Sequence, residues 1–395
     1  MWQVLGFGGR PNPLVYSRVA SFAMRTGQAL FANTPHSRVR GRGQLYVDDP
    51  ALVISGCECC VRSSLDIWIL WMLMLGVPLA WSKGEVSYGL SPHRWIGVIY
   101  SATPSGTAVM ELPAEYLEDL LLILKPFCST KGHVAIELAD KVVGKAGRVA
   151  HIVPSARPFV GALWTALAAA KAADRAGARE APPGRAACRR FTAGACWLRA
   201  LIQCEGGILP LKRIVSASRP TPASPSGWSA QFDASPWGGG GILRSPEKIE
   251  QYFYLDWDEE SVRHLGITIG ESKWQTFWEL LTCLLCLVLW GHDFVDHELA
   301  VLGDNVSSLT SALNLKGKRE QMAIVREISW RQARYGWKFA AGHIPSEANH
   351  VPDALSRLTA TPPCSFPARA LQGAVRVHVP AVADLWVARL DRFVK

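Results

Sequence analysis

Six carboxylates in this chain stand where neighbouring acids would repel one another unless a cation intervened. Asp48 and Asp49 are adjacent in Tyr46-Val47-Asp48-Asp49, a string set between apolar stretches. On a tight turn between strands such a pair loses stability through mutual repulsion, which a bound divalent cation relieves. Far downstream, Asp233 ends an alternating pattern in Phe232-Asp233-Ala234-Ser235, and Glu279 lies in the apolar run Gln275-Thr276-Phe277-Trp278-Glu279-Leu280-Leu281. Asp304 comes after Leu299-Ala300-Val301-Leu302 and directly before Asn305, and Asp353 sits in Asn349-His350-Val351-Pro352-Asp353-Ala354-Leu355-Ser356-Arg357. Singly, each has an ordinary explanation: an Asp at a strand end caps, and a Glu near a helix start complements the dipole. Four acids placed on strand end, helix, strand end and helix are different, because parallel α/β folds gather such positions at one edge of a sheet. Converging carboxylates there would be reconciled by two divalent ions roughly 4 Å apart.

Positioning them needs definite elements. The pattern predicts helices over 15–30 and 62–75, a hairpin over 43–53 around the acidic pair, and strands near 85–90 and 95–100. The uncharged run 67–81 is interrupted by Gly76 and Pro78. It falls short of the roughly 20 residues that span a bilayer, so it reads as a buried helix and turn, and no membrane partner is expected. Helices are predicted over 112–124, 135–150 and 157–173. Val143-Gly144-Lys145-Ala146-Gly147-Arg148 lacks the spacing of a phosphate loop and sits inside a helical pattern. The Pro/Ser-rich stretch 220–226 marks a domain boundary. Beyond it, Gly238-Gly239-Gly240-Gly241 reads as a tight turn into a strand at Ile242-Leu243. A five-stranded mixed sheet is expected, its first three strands antiparallel.

The motifs around the acids carry a resemblance. Phe7-Gly8-Gly9-Arg10-Pro11 precedes the acidic pair, and Pro78-Leu79-Ala80-Trp81-Ser82-Lys83 and Trp95-Ile96-Gly97 follow it. In order and spacing these resemble the palm motifs of a retroelement reverse transcriptase. The series Asp233, Glu279, Asp304, Asp353 resembles the retroelement ribonuclease H domain. The resemblance implies an α/β chain: a partial reverse-transcriptase palm (1–105), a helical thumb-like region (106–175), a basic Ala/Pro-rich connection and linker (176–227), and a ribonuclease H-like domain (228–358). A Pro-containing tail (359–395) carries no readable signal. The Val-Asp-Asp-Pro string, Trp95-Ile96-Gly97-Val98 and Asp233-Ala234-Ser235-Pro236-Trp237-Gly238 are most similar to the DIRS-type or a related protist class.

The same resemblance assigns roles. Asp233, Glu279, Asp304 and Asp353 would bind two Mg2+ ions, with Mn2+ as a substitute, and His343 in Gly342-His343-Ile344-Pro345 would assist metal handling and product release. Gln275 and Asn349 fall at positions that contact the hybrid backbone, and Lys83 matches the lysine after the palm helix. Arg94, Lys145, Arg148 and Arg157 could follow phosphates as thumb residues do, and Lys316, Lys318 and Arg319 could hold the DNA strand. Each of these basic residues could equally be part of a solvated face. A reverse transcriptase binds its ions through three aspartates, and this sequence reaches Phe7 within a few residues of Met1. Asp48 and Asp49 are therefore expected to be a vestigial half-site without polymerase activity. The expected activity is cleavage of the RNA strand of RNA–DNA hybrids. The alternatives are a decayed, silent retroelement remnant with residual nucleic-acid binding, and a transposase or integrase of the same fold. Glu279 on the first helix and the Asp-Ala-Leu-Ser-Arg ending disfavour the latter.

Composition agrees with a polyanionic partner. The 395 residues carry a formal charge of +9 and a pI near 9.1. The excess is uneven: residues 225–360 hold 12 Lys and Arg against 17 Asp and Glu, and the remainder holds 30 against 16. A basic body would then grip phosphates while an acidic, separable module concentrates metal ligands. Apolar content of 49% and a mean hydropathy of +0.10 exclude wholesale disorder. The ten cysteines show no zinc pattern, since Cys57-Glu58-Cys59-Cys60 has no second cysteine or histidine pair at metal spacing. Structural zinc is therefore not expected, and a reducing compartment is the default.

Overall fold

The computed structural model describes residues 12–31, 38–46, 49–77, 79–103, 107–177, 180–203, 211–215, 227–263, 266–294, 299–337 and 339–386. The 7–11 motif, Val47 and Asp48 of the acidic pair, Pro78 and the 220–226 linker lie outside the described residues. The chain divides into two compact units, Met1–Ser105 and Gly106–Lys395.

The first unit comprises α1 (Asn12–Ala29), β1 (Val39–Tyr46), β2 (Asp49–Gly56), α2 (Glu58–Met74), β3 (His93–Trp95) and β4 (Val98–Ala102). β1 and β2 form an antiparallel hairpin with Tyr46 opposite Asp49. Its core is small: Ala23, Met24, Phe31, Trp68 and Met72. α2 was expected to be buried, but Ile67, Leu70, Leu73 and Met74 are exposed. The run Ile67–Met74 is apolar on every side, whereas the fully buried part is the stripe through Trp68 and Met72. The strand expected at 85–90 is absent. Val86 and Tyr88 are exposed there, and Gly89 takes a positive φ of 63°. Nor is 95–100 one strand: Ile96 (φ 45°) and Gly97 (φ 69°) turn the chain between β3 and β4.

The second unit begins with β5 (Ala108–Glu111), α3 (Ala114–Leu124), β6 (His133–Ala135), α4 (Ile136–Ile152), α5 (Arg157–Arg175), β7 (Arg185–Ala187), α6 (Thr192–Ile202) and β8 (Lys212–Val215). Buried residues recur along α4 at helical spacing, from Ala139 through Val142, Val143 and Ala146 to Val149 and Ala150. Residues 143–148 are thus helix interior, as the spacing argument required. This helical layer carries the sheet that follows, built from β9 (Ser229–Ala234), β10 (Gly238–Arg244), β11 (Ile249–Asp256), β12 (Leu299–Gly303), β13 (Phe339–His343) and β14 (Val375–Arg376). Interleaved are α7 (Glu259–Arg263), α8 (Gln275–Trp290), α9 (Val306–Asn314), α10 (Met322–Tyr335) and α11 (His350–Ser356).

The strand order is β13-β12-β9-β10-β11-β14. β9, β10 and β11 are antiparallel, while β12 runs parallel to β9 and β13 parallel to β12. The five-stranded mixed sheet is therefore present, extended by a short sixth strand from the tail. The stretch Ser272–Phe294 is long and apolar enough to cross a membrane by composition alone, but most of it is buried. It contains α8, which packs across β9 and β10 with Phe277, Trp278, Leu281, Leu284 and Leu285 in the core.

Two features correct the sequence reading. Gly238–Gly241 is not the turn but the first half of β10, and residues 235–237 make the turn. A Cβ on Gly240 would stand 2.5 Å from Leu355 Cβ and 2.9 Å from the Pro352 carbonyl oxygen, both on α11. One on Gly239, on the other face, would stand 2.7 Å from Thr282 Oγ1 of α8. The glycines therefore let helices close on β10 from both sides. The tail is also structural: β14 pairs with β11, Arg331 Nη2 donates to the Leu385 carbonyl at 3.0 Å, and Val382, Leu385 and Trp386 join the main core.

The 225–360 stretch packs against the helical layer. Trp330 of α10 meets Trp197 of α6 edge-on at 4.4 Å, and Trp197 stacks on Phe159 of α5 at 5.0 Å. Ser329 donates a hydrogen bond to the Ser155 carbonyl.

Candidate metal centre

β9 and β12 pair only as far as Gln231 and Leu302. Asp233 and Asp304 lie just past that point, where ligand crevices form in sheets of this kind. Glu279, on the first turns of α8, completes the group: one carboxylate oxygen each from Asp233, Glu279 and Asp304 lies within 4.8 Å of the others. Asp233 and Glu279 are nearly inaccessible, at 4% and 2% exposure, and Asp304 is half-buried.

The surroundings hold each acid in place. Ser356 Oγ of α11 donates to Asp233 Oδ2 at 2.7 Å, and Ser346 Oγ donates to Asp304 Oδ2 at 2.8 Å. Gln275 Nε2 bridges the Ala234 carbonyl (2.5 Å) and Glu279 Oε1 (3.0 Å). The other oxygen of Glu279, Oε2, is buried with no hydrogen-bond partner among the described residues. An orphaned carboxylate oxygen inside a core is costly unless something positive reaches it.

The electrostatics agree. Burial pushes the Asp233 carboxyl up from 3.8 to about 7; Asp353 and Asp304 add to the rise, while the Ser356 hydroxyl and Arg357 oppose it. Glu279 is pushed well above its ordinary range, first by burial and then by Asp233 and Asp304. The triad could hold a metal ion, and its all-oxygen donor set suits Mg2+ or Mn2+.

Asp353 stands beside this group rather than within it. It is half-buried on α11, close enough to raise Asp233, and its Oδ1 accepts from Arg357 Nε at 2.7 Å. His343 is exposed at the end of β13, in register with Gly303, the residue before Asp304. Asn349 is fully buried: its Nδ2 donates to the Phe232 carbonyl at 2.8 Å, and its Oδ1 has no hydrogen-bond partner among the described residues. Its polar side chain ties the start of α11 to β9. Gln275 likewise serves Glu279 and the β9 backbone.

Other basic residues divide. Lys316 and Lys318 are exposed on the loop after α9, whose end is marked by Leu315 in a left-handed conformation (φ 53°). The side chain of Arg319 lies outside the described residues. Lys145 is ion-paired with Asp119 and sits over the Tyr116 ring at 5.0 Å, with Arg148 at 5.6 Å from the same ring. These contacts account for both without a phosphate. Arg157 begins α5, half-buried, and Arg94 lies in β3. Lys83 ends an exposed 3-10 turn, and Asp49, exposed at the start of β2, accepts at its carbonyl from Trp95 Nε1 at 3.2 Å.

Sequence reasoning missed Ser346, Ser356 and Arg357 as partners of the acids. The last two were in view in the Asp353-Ala354-Leu355-Ser356-Arg357 string, where helical spacing from Asp353 puts Arg357 on the same face.

No family model matches this chain, and no curated protein does. Solved structures of the foamy viral protease-reverse transcriptase are similar to it. The complex with dsDNA is 13% identical with a TM-score of 0.33, covering 87% of this chain and 60% of that one. The complex with an RNA/DNA hybrid is 11% identical with a TM-score of 0.35, covering 87% and 39%. A dRH form with ds DNA is 13% identical with a TM-score of 0.32, covering 84% and 49%. The chain thus spans between about two-fifths and three-fifths of the length of the chains it matches. Likeness of this degree fixes neither family nor function.

Proposed function

We propose that this chain is a metal-dependent nuclease of the ribonuclease H type that cuts the RNA strand of RNA–DNA hybrids, within a retroelement reverse-transcriptase polypeptide of the DIRS-like class. The observation that carries this reading is the convergence of Asp233, Glu279 and Asp304 at the parting of β9 and β12, with one buried oxygen left unpaired. The sequence motifs around the acids supply the substrate class.

Divalent ions at such a site supply an activated water and stabilise the departing 3′ oxygen. The chain's own residues do the rest. Asp233, Glu279 and Asp304 would hold the ions, Gln275 fixes the rotamer of Glu279, and Ser356 keeps Asp233 able to ionise despite its burial. Asp353 joins the site's edge, where Arg357 balances its charge. His343, exposed beside the Asp304 strand end, would assist metal handling and product release. Lys316 and Lys318 offer positive charge to the DNA strand, and RNA is distinguished by its 2′-hydroxyls.

The test is cleavage of a labelled RNA–DNA hybrid by the full chain with Mg2+. Cleavage of the RNA strand alone is expected, lost in Asp304→Asn with binding largely retained. Neutralising Lys316 and Lys318 should instead weaken binding and flatten its salt dependence. A folded protein that shows no metal-dependent cleavage at high concentration would be a silent remnant, and the reading would be wrong.

A further inference from the structure

A second group of potential ligands lies in the first unit and is composed of sulfur. The Sγ atoms of Cys57, Cys59 and Cys60 all lie within 4.8 Å of one another, with Cys57 and Cys59 at 3.4 Å. None is in a disulfide; Cys57 and Cys59 are exposed and Cys60 is half-buried. The sequence pattern argued against a metal because no second pair accompanies the first. The backbone makes a second pair unnecessary. Cys57 is extended (φ −69°, ψ 154°) immediately ahead of α2, and its carbonyl accepts the first helical hydrogen bond from Val61 N at 2.9 Å. Cys59 and Cys60 occupy the first turn, so the chain wraps three sulfurs around one helix end.

The positive end of a helix dipole favours negative charge on a sulfur placed there. α2 is a helix of 17 residues, and the positive end of its dipole lies at these cysteines. Glu58 is turned away to Arg62, at 3.3 Å, and does not compete. Three sulfurs about 2.3 Å from a common centre stand about 4 Å apart in a trigonal plane, inside the spacing seen. Thiolates select soft ions such as Cu(I) over hard ones. A structural zinc site closes with four protein ligands, and this cluster offers three.

From these features we propose that Cys57, Cys59 and Cys60 form a three-thiolate binding site for a soft monovalent d10 ion, with Cu(I) its preferred occupant. Binding exchanges up to three S–H bonds for three metal–sulfur bonds and releases the protons to solvent. No electron is transferred, because the ion arrives already reduced. The site stands independently of the nuclease reading.

The experiment is an anaerobic titration of the reduced full chain with Cu(I) buffered by a chromogenic chelator, followed by sulfur-to-copper absorption in the near ultraviolet. One equivalent should be withdrawn from the chelator, and Cys59→Ser should lower the affinity at least about a hundredfold. Because all three side chains sit at the surface end of a helix, the variant's circular dichroism should match the wild type. Should a Cys57/Cys59/Cys60 triple serine variant withdraw the same equivalent with the same affinity, the metal sits on other cysteines and the proposal is overturned. Displacement of Cu(I) by equimolar Zn2+ would overturn the choice of ion.

Discussion

Asp233→Asn should stabilise the metal-free protein above neutral pH while abolishing its response to Mg2+. The folded state keeps the Asp233 proton up to about pH 7, whereas an ordinary aspartate releases it near 3.8. Between those values the folded state binds more protons than the unfolded chain, so this residue makes stability fall as pH rises through the window. At about 1.36 kcal/mol per pH unit, the interval caps the loss at about 4 kcal/mol by pH 8 and at under about 2 kcal/mol at pH 5. Asparagine keeps the size of the side chain and an acceptor for Ser356 Oγ, so packing is unaltered and only the buried charge is removed. Urea unfolding with a chelator present, followed by circular dichroism at both pH values, should show the variant gaining stability mainly at pH 8. Because the chain has two compact units, only the transition of the second should move. Mg2+ should stabilise the wild type by mass action and leave the variant unchanged. A wild-type-to-variant difference that is the same at pH 5 and pH 8 would refute the claim that Asp233 is a strained, ion-awaiting carboxylate.

Three further outcomes follow from the same geometry. Ser356→Ala removes the donor that favours ionised Asp233, and a hydrogen bond to a charged group is worth about 1.5–3 kcal/mol. The acidic limb of the pH–rate profile should therefore move upward by about one to two pH units, and an unmoved limb would contradict the role. Gly240→Ala forces a methyl against Leu355 and the α11 backbone, with an expected cost of about 1–3 kcal/mol; thermal unfolding and Mg2+ titration should report lower stability and weaker binding together. Ending the chain at residue 358 strips Val382, Leu385 and Trp386 from the core, each worth about 1.5–3 kcal/mol. Hydrogen exchange should then show lost protection in α10 and β11, and native-like protection would disprove the tail's role.

Much of the site was legible because acids at strand ends and in an apolar helix are conspicuous. Asp233, Glu279 and Asp304 needed only the alternation of strand and helix to place them at one sheet edge. The helices over 114–124, 136–152 and 157–175 follow from spacing of three and four residues, which tertiary context did not disturb. Legibility failed where a residue's meaning depends on what approaches it. Glycine usually punctuates a chain, so the 238–241 run read as a turn, and only the packing of α8 and α11 shows why those glycines lie within a strand. A two-residue strand such as β14 leaves no period to detect. Asn349 and Lys145 were assigned outward contacts, yet their partners, the Phe232 carbonyl and Asp119, are distant in sequence. The apolar run of α2 gave no sign that one side would stay exposed.

The close fit around β10 bears on how this reading frame persists through generations. Glycine codons change to those for alanine, serine, cysteine, aspartate, valine or arginine by single-base substitutions, and each replacement adds at least a Cβ. At Gly239 and Gly240 the space a Cβ would occupy is already taken from opposite faces of the sheet. Ordinary copying errors therefore strike this short stretch as damage to the fold rather than as neutral variation. A frame freed from selection should lose the run early, before its surface motifs fade, so comparing related sequences across codons 238–241 would separate those still kept as folded protein from those merely drifting.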